Sequence, residues 1–339
     1  MNAGTVKAGI IGSGSWGTAL ANLLAENGHT PYLWDVDGEL LAAMSKDREN
    51  KRYLPGHAVH ERVKIASSAK ECLKDADFVV MAVPTQHFRS ALAAALPDMS
   101  KSAIIVNVAK GIELGSLVTP SIIRAEAAPE HMFAVLSGPS HAEEVAGGMP
   151  TTVVVASEDM EVAEAVQDVF MTQRFRIYTS SDVIGVELGG ALKNVIALGA
   201  GISDGMEYGD NTKAALMTRG LAEMARLGQA MGANRDTFFG LSGMGDLAVT
   251  CMSAHSRNRC CGVMIGNGVP PKEAIAAVGM IVEGIPTAEA ARALARKLGV
   301  ETPIIDSICR IVSGEAPPET ELTALMTRGK KHEQEEAPG

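Results

Sequence analysis

The stretch VKAGIIGSGSWG, residues 6–17, decides the fold class. An apolar run precedes glycines at positions 12, 14 and 17, and a helical pattern over Thr18–Asn27 follows them. The spacing G-x-G-x-x-G between a strand and a helix is typical of a dinucleotide-binding loop. Gly12 permits the tight turn, Gly14 lets a pyrophosphate approach the backbone, and Gly17 lets helix and strand pack closely. The alternative, a purely structural glycine turn, is the weaker interpretation in this context.

Strands and helices alternate through the first half of the chain. After Val6–Ile11, strands are predicted at Pro31–Trp34, Phe78–Val83, Ala103–Val108, Phe133–Leu136 and Thr152–Ala156, and further helices at Gly38–Lys46, Thr85–Ala95, Val118–Ala127 and Val162–Phe170. Such alternation implies crossover connections and therefore a mostly parallel sheet covered on both faces. We predict an α/β fold that begins with a Rossmann-type, doubly wound sheet.

The pattern changes near residue 187, where strand signals fade. Long helical stretches then dominate, including Val186–Gly201, Lys213–Met231 and Pro286–Leu298. We predict a dinucleotide-binding domain over residues 1–187 and an all-helical substrate-binding domain over residues 188–327. Residues 328–339 are charged and carry no apolar pattern, so we expect a disordered tail there.

Charge and cysteine content narrow the class of partners. The 40 acidic and 30 basic residues give a net charge of -10, which repels nucleic acid and anionic membranes. An anionic substrate must therefore meet a local cluster of Lys and Arg. The five Cys have no paired metal-binding spacing, and the vicinal Cys260 and Cys261 are poorly placed for a disulfide. With no signal-like N-terminal pattern, we expect a cytoplasmic protein without a metal and without membrane insertion.

Asp35 ends the second predicted strand, where an acid accepts hydrogen bonds from the adenosine ribose hydroxyls. A carboxylate at this position repels a 2′-phosphate, and no Lys or Arg follows within ten residues to compensate before Lys46. The sequence therefore favours NAD over NADP.

Two lysines stand in apolar or small-residue surroundings. Lys110 follows a buried-looking strand, and Lys193 lies in a Gly- and Ala-rich helical stretch with no other charge over two turns. Burial without a partner is costly for an ammonium group and lowers its pKa, which suits a proton shuttle. Asp246 lies in a glycine-rich loop that presents a carboxylate. Ser256-Arg257-Asn258 combines a guanidinium with two hydrogen-bonding side chains, a natural contact for a phosphate.

Taken together, these motifs resemble the bacterial-type NAD(P)-dependent glycerol-3-phosphate dehydrogenases. The segments that carry the resemblance extend from residue 11 to about residue 325, and they are 12–17, 109–111, 136–140, 188–200, 218–224, 243–247, 256–259 and 282–284. The resemblance implies interconversion of sn-glycerol 3-phosphate and dihydroxyacetone phosphate for glycerophospholipid synthesis. It also implies a cleft between the two domains and a homodimer.

The resemblance further implies roles for particular residues. Lys193 corresponds to the proton-transfer lysine. Substrate contacts are implied for Lys110, Gly138, Ser140, Lys193, Asp246, Ser256, Arg257 and Asn258, and cofactor contacts for Ser15, Trp16, Lys110, Ala142, Arg257, Ile281 and Glu283. The chain departs from NADP-using relatives, which usually carry a basic residue or His after the second strand, where it has Asp35-Val36.

Three other functions remain open from the sequence. A hydroxyacid dehydrogenase of similar build could use Arg257 to bind a carboxylate. A nucleotide-sugar oxidising enzyme would need a nucleophilic cysteine, and nothing in the sequence activates Cys260 or Cys261. A non-catalytic nucleotide sensor would keep the glycine loop but would not need Lys110, Lys193 and Asp246.

Overall fold

A computed structural model describes residues 4–330 and 332–333, and within them the first half of the chain forms one eight-stranded sheet. The strands are β1 (Lys7–Ile11), β2 (Thr30–Trp34), β3 (Lys64–Ile65), β4 (Phe78–Met81), β5 (Ile104–Asn107), β6 (Phe133–Ser137), β7 (Thr151–Ala156) and β8 (Phe175–Ser180). Their spatial order is β3-β2-β1-β4-β5-β6-β7-β8. All neighbours are parallel except β6 and β7. The predicted Rossmann-type, mostly parallel sheet is confirmed.

Helices cover both faces of this sheet. They are α1 (Ser15–Glu26), α2 (Gly38–Asp47), α3 (Ala69–Leu73), α4 (Thr85–Ala95), α5 (Pro120–Ala127), α6 (Ala142–Ala146) and α7 (Met160–Phe170). One apolar cluster contains Ile10, Leu20 and Leu24, and another contains Met81 and Phe88. The central strands are therefore buried on both sides, as parallel strands usually are.

Four elements of the sheet domain were absent from the sequence prediction: β3, α3, α6 and β8. β3 is only two residues long, and α3 and α6 have five residues each, too short for a helical period to emerge. β8 does carry a signal, because buried Phe175 and Ile177 alternate with exposed Arg176 and Tyr178. That two-residue period is typical of a half-buried edge strand.

The second half is helical and surrounds one central helix, α8 (Val183–Gly205). The others are α9 (Asp210–Ala230), α10 (Asp246–Met252), α11 (Arg257–Gly266), α12 (Pro271–Val278), α13 (Gly284–Leu298), α14 (Pro303–Ser313) and α15 (Pro318–Met326). α8 is long and apolar enough to cross a membrane, but 94% of its most apolar window is buried inside the protein, as expected for a core helix.

The predicted domain boundary between residues 187 and 188 lies within α8 and stays a prediction. The predicted disordered tail, residues 328–339, lies largely outside the described residues.

Helices α8 and α11 approach each other through glycines on both helices. A Cβ atom on Gly201 would lie 2.1 Å from the carbonyl oxygen of Arg259, and one on Gly262 would lie 2.2 Å from that of Leu198. Gly205 and Gly266 make the same kind of contact one turn further on. Any side chain at these positions would force the two backbones apart.

Two buried glutamates accept hydrogen bonds from the first turns of other helices. Glu187 of α8 accepts a bond from the Ser121 N–H of α5 at 2.9 Å and another from the Ser121 hydroxyl. Glu223 of α9 accepts bonds from the N–H groups of Ile304 and Ile305 in α14, at 2.8 and 3.1 Å. Each carboxyl satisfies N–H groups that a helix leaves unpaired at its start.

Candidate active site

The glycine loop connects β1 to α1 at the carboxyl edge of the sheet. Gly12 has a φ of +107°, and a Cβ there would lie 2.5 Å from the Ala82 carbonyl oxygen. A Cβ on Gly17 would lie 2.0 Å from the Gly12 carbonyl oxygen, whereas one on Gly14 would meet nothing within 4 Å. Positions 12 and 17 therefore need glycine for packing, and position 14 opens to solvent at the N-terminus of α1.

Asp35 lies beside this loop, at the end of β2. Its carboxylate accepts hydrogen bonds from the Ser13 N–H at 2.6 Å and from the Asp37 N–H at 3.1 Å. Asp37 caps α2 and forms an ion pair with Arg52 at 2.9 Å. Arg52 lies 15 residues after Asp37. It therefore falls outside the ten residues after Asp35 in which the sequence shows no compensating Lys or Arg.

Three charged side chains meet where the sheet borders the helical half. Asp246 accepts hydrogen bonds from Lys193 Nζ at 2.7 Å on one carboxylate oxygen and from Lys110 Nζ at 2.6 Å on the other. Lys193 is also bonded to the Thr250 hydroxyl at 2.8 Å, and Lys110 to the Gly138 carbonyl oxygen at 3.0 Å. The sequence singled out all three charged residues, and the structure brings them together.

The electrostatics of this cluster make Lys193 a weak acid at neutral pH. Burial lowers the pKa of Lys193 to about 8, and the positive charge of Lys110 acts in the same direction while Asp246 opposes it. Burial acts to raise the pKa of Asp246, but the two ammonium groups outweigh burial and hold it below its usual value. Asp246 is therefore ionised, and Lys193 can gain and lose a proton near physiological pH.

The Ser256–Asn258 segment starts α11 and lies on the helical side. The Ser256 hydroxyl accepts a hydrogen bond from the Arg259 N–H and caps the helix. Arg257 is exposed, and its guanidinium makes no hydrogen bond or ion pair with the residues that the structure describes. The Asn258 amide, in contrast, is used at both ends, since it donates to the Asn194 side chain at 2.9 Å and accepts from the Gly284 N–H at 2.8 Å.

The remaining predicted residues lie on neighbouring loops and helix starts. Ser15 and Trp16 begin α1, and Ala142 begins α6. The Ser140 hydroxyl donates to the carbonyl oxygen of Gly138 at 3.0 Å. Ile281 is exposed in the segment before α13. Glu283 ends that segment, and burial raises its pKa to about 7 although Arg257 opposes the shift.

Two family models together match nearly the whole chain. The model described as the N-terminus of NAD-dependent glycerol-3-phosphate dehydrogenase matches residues 7–163, and the corresponding C-terminal model matches residues 182–323. The chain belongs to this family.

Individual relatives agree with this assignment. The chain is 51% identical to glycerol-3-phosphate dehydrogenase [NAD(P)+] of Pelotomaculum thermopropionicum over 97% of its own length and 95% of the relative's. It is 47% identical to the enzyme of that name from Bacillus subtilis, over 97% and 96% of the two chains. The crystal structure of glycerol-3-phosphate dehydrogenase from Coxiella burnetii superposes with a TM-score of 0.93 at 36% identity, covering 96% of this chain and 99% of that one.

The nucleotide loop of this family member fits a dinucleotide. No side chain caps the N-terminus of α1, and Gly14 leaves open space at that end. The Ser13 hydroxyl and one carboxyl oxygen of Glu283 are buried without a hydrogen-bond partner among the described residues. Free N–H groups and the positive end of the α1 dipole favour an anionic pyrophosphate.

Four residues of the site were not identified from the sequence: Thr250, Asn194, Arg52 and His141. Thr250 lies one turn after Asp246 on α10, so the i, i+4 spacing placed both beside Lys193. Asn194 follows Lys193 directly in α8. No local pattern signals Arg52, whereas His141 lies between Ser140 and Ala142, two positions that the resemblance already implied.

Proposed function

We propose that this chain interconverts sn-glycerol 3-phosphate and dihydroxyacetone phosphate as a nicotinamide-dependent dehydrogenase. The observation that carries the proposal is the buried Lys193, whose ammonium group is paired with Asp246 while a second cation, Lys110, lies on the other carboxylate oxygen. A sensor that only binds a nucleotide has no need for this arrangement. The family membership and the names of the relatives support the same activity.

Lys193 is proposed to carry the proton. The bound nicotinamide would supply or accept the hydride at C2 of the substrate. During oxidation, the free amine of Lys193 takes the proton of the C2 hydroxyl, and during reduction its ammonium form donates that proton to the ketone oxygen. A pKa of about 8 suits both directions, because each form is well populated near neutral pH.

Lys110 and Asp246 are proposed to prepare Lys193 for this transfer. The positive charge of Lys110 favours the free amine of Lys193 and polarises the substrate carbonyl. Asp246 orients both lysines and offsets part of the cost of burying them. Thr250 gives the Lys193 nitrogen a second fixed partner, which leaves its remaining valence for the substrate oxygen.

Arg257 is proposed to bind the phosphate group, because its guanidinium is exposed and forms no close ion pair within the described part of the chain, although its charge also acts on Glu283. The wider substrate-binding set is proposed to include Lys110, Gly138, Ser140, Lys193, Asp246, Ser256 and Asn258. Since the Asn258 amide is already occupied at both ends, we infer that it acts mainly by holding the start of α11 against α8 and α13. Binding energy at the phosphate then fixes the position of the reacting carbon.

The cofactor is proposed to be NAD in preference to NADP. Gly12, Gly14, Ser15, Trp16 and Gly17 would hold the pyrophosphate end. Asp35 would accept hydrogen bonds from the ribose hydroxyls and repel a 2′-phosphate. Lys110, Ala142, Arg257, Ile281 and Glu283 are proposed as further contacts. Arg52 offers one positive charge near this end, but Asp37 already neutralises it.

The cellular setting is proposed by family resemblance. We expect a cytoplasmic homodimer that supplies glycerol 3-phosphate to phospholipid synthesis.

The test is initial-rate kinetics with dihydroxyacetone phosphate against NADH and NADPH separately, for the wild type and for Lys193→Ala. We expect turnover with NADH favoured, and a loss of about 10²–10⁴-fold in kcat for the variant, the usual contribution of a general acid. Lys213→Ala is the matched control, since it removes another partly buried lysine paired with an aspartate, at 2.6 Å from Asp204.

Two outcomes would contradict the proposal. A kcat of Lys193→Ala within about tenfold of the wild type would remove Lys193 from the proton transfer. Turnover of 2- or 3-hydroxy acids in preference to glycerol 3-phosphate would favour the hydroxyacid dehydrogenase instead.

A further inference from the structure

His141 has a buried nitrogen atom that the mechanism above does not use. It lies in the loop between β6 and α6, directly after Ser140, and its ring is partly buried. The Nε2 atom is shielded from solvent and has no hydrogen-bond partner among the described residues. An unsatisfied buried polar atom destabilises a protein, so such an atom calls for an explanation.

His141 lies close enough to the charged residues of the site for their charges to act on its ring. The charges of Lys193, Asp246 and Lys110 all act on its ring, as does Glu143 of its own helix. Its ring also packs against that of His255, with centroids 6.1 Å apart. His141 belongs to the sheet half of the chain, and His255 immediately precedes the Ser256–Asn258 segment of the helical half. The ring contact therefore lies where the two halves of the site meet.

The ring of His141 is neutral at physiological pH. Burial lowers its pKa, the positive charges of Lys193 and Lys110 lower it further, and Asp246 and Glu143 oppose the shift. A neutral imidazole can donate or accept one hydrogen bond, which suits a hydroxyl group. A phosphate dianion is better matched by the exposed guanidinium of Arg257.

One oxygen-bearing group of the proposed substrate has no hydrogen-bond partner among the residues assigned above. The C2 oxygen is assigned to Lys193 and Lys110, and the phosphate to Arg257. Within the proposed substrate-binding set, no side chain has been matched to the free hydroxymethyl group. The Ser140 hydroxyl already donates to Gly138, the Ser256 hydroxyl caps α11 by accepting from the Arg259 N–H, and both ends of the Asn258 amide are engaged. The Asn194 amide nitrogen is directed at the carbonyl oxygen of Gly190 at 3.4 Å, and its oxygen accepts from Asn258.

We propose that His141 Nε2 hydrogen-bonds to the free hydroxymethyl group of the substrate and selects for it. This inference rests on the proposed function. His141 is then a specificity-determining contact on the sheet side, opposite the phosphate contact on the helical side. The bond satisfies the buried nitrogen only when the correct substrate is bound, and an analogue without the hydroxyl leaves it unpaired.

The test compares two substrates in the same enzyme. Hydroxyacetone phosphate carries a methyl group in place of the hydroxymethyl group and is otherwise identical to dihydroxyacetone phosphate. In His141→Phe, kcat/KM for dihydroxyacetone phosphate should fall by about tenfold or more, while the value for hydroxyacetone phosphate changes by less than about threefold. Turnover of the analogue also shows that the variant is folded.

Two further variants sharpen the result. His141→Gln places an amide nitrogen close to the position of Nε2 and should keep most of the preference for dihydroxyacetone phosphate. His255→Phe replaces the neighbouring ring and should leave the ratio of the two kcat/KM values unchanged.

Equal losses for both substrates in His141→Phe, or the same change of ratio in His255→Phe, would overturn the inference. A wild-type enzyme that does not reduce dihydroxyacetone phosphate would instead contradict the proposed function, so the two failures are distinguishable.

Discussion

At the scale of single residues, the shared carboxylate of Asp246 explains how two ammonium groups occupy one buried site. Each lysine has its own carboxylate oxygen, at 2.6 Å for Lys110 and 2.7 Å for Lys193. One negative charge cannot fully compensate two buried positive charges. The more buried lysine, Lys193, therefore releases its proton more easily than a lysine in water.

This lowered pKa predicts opposite pH dependences for the two reaction directions. Oxidation of glycerol 3-phosphate needs the free amine of Lys193, so kcat/KM should rise with pH and level off above about 8. Reduction needs the ammonium form, so kcat/KM should fall as pH rises through the same value. The measurement is kcat/KM against pH in both directions. Profiles without an inflection between about pH 7 and 9 would contradict this role.

At the scale of elements, the contact between α8 and α11 depends on glycine. Gly201→Ala would place a methyl group 2.1 Å from the Arg259 carbonyl oxygen, so the helices must separate. We expect a loss of about 2 kcal/mol or more in the free energy of unfolding, measured by urea denaturation. Gly38→Ala is the control, because a Cβ there meets nothing within 4 Å. Equal stabilities of the two variants would show that the contact is not close-packed in solution.

At the scale of the whole molecule, Glu187 ties the central helix to the sheet half. Burial raises its pKa to about 7, although hydrogen bonds from Ser121, Thr119 and Asn107 oppose the shift. The protonated form is therefore favoured in the folded protein. Its contribution to stability is complete below the unfolded pKa, near 4.5, and is lost as pH rises through about 7.

Glu187→Gln should remove this titration. The variant should gain stability relative to the wild type between pH 5.5 and pH 8, by about 2 kcal/mol, in urea denaturation at the two pH values. Glu321→Gln is the control: Arg310 lowers the pKa of Glu321, so the difference from the wild type should stay constant over this range. A constant difference for Glu187→Gln as well would mean that its carboxyl is ionised throughout.

Local patterns were enough to predict the parallel sheet, the helical second half and the charged trio of Lys110, Lys193 and Asp246. Each of these has a signal within about twenty residues: a hydrophobic period, a glycine spacing, or a charge in apolar surroundings. Arg52 belongs to no such pattern although its partner Asp37 is only 15 residues away, and His141 was missed although it lies between the implied contacts Ser140 and Ala142. The role of Glu187 could not be predicted locally, because its partner Ser121 lies 66 residues earlier.

The glycine contact between α8 and α11 also bears on the length of the substrate. Lys193 lies on one of these helices and Arg257 begins the other, so backbone contact restricts the span between the proposed proton donor and the proposed phosphate contact. Side-chain substitutions on the touching faces cannot shorten this span. A phosphoketone with one more methylene between carbonyl and phosphate would have to give up one of its two contacts. Larger side chains at the glycine contact would lengthen the span only at the cost of the packing between α8 and α11, so redesign toward longer substrates should begin in the loop before α11.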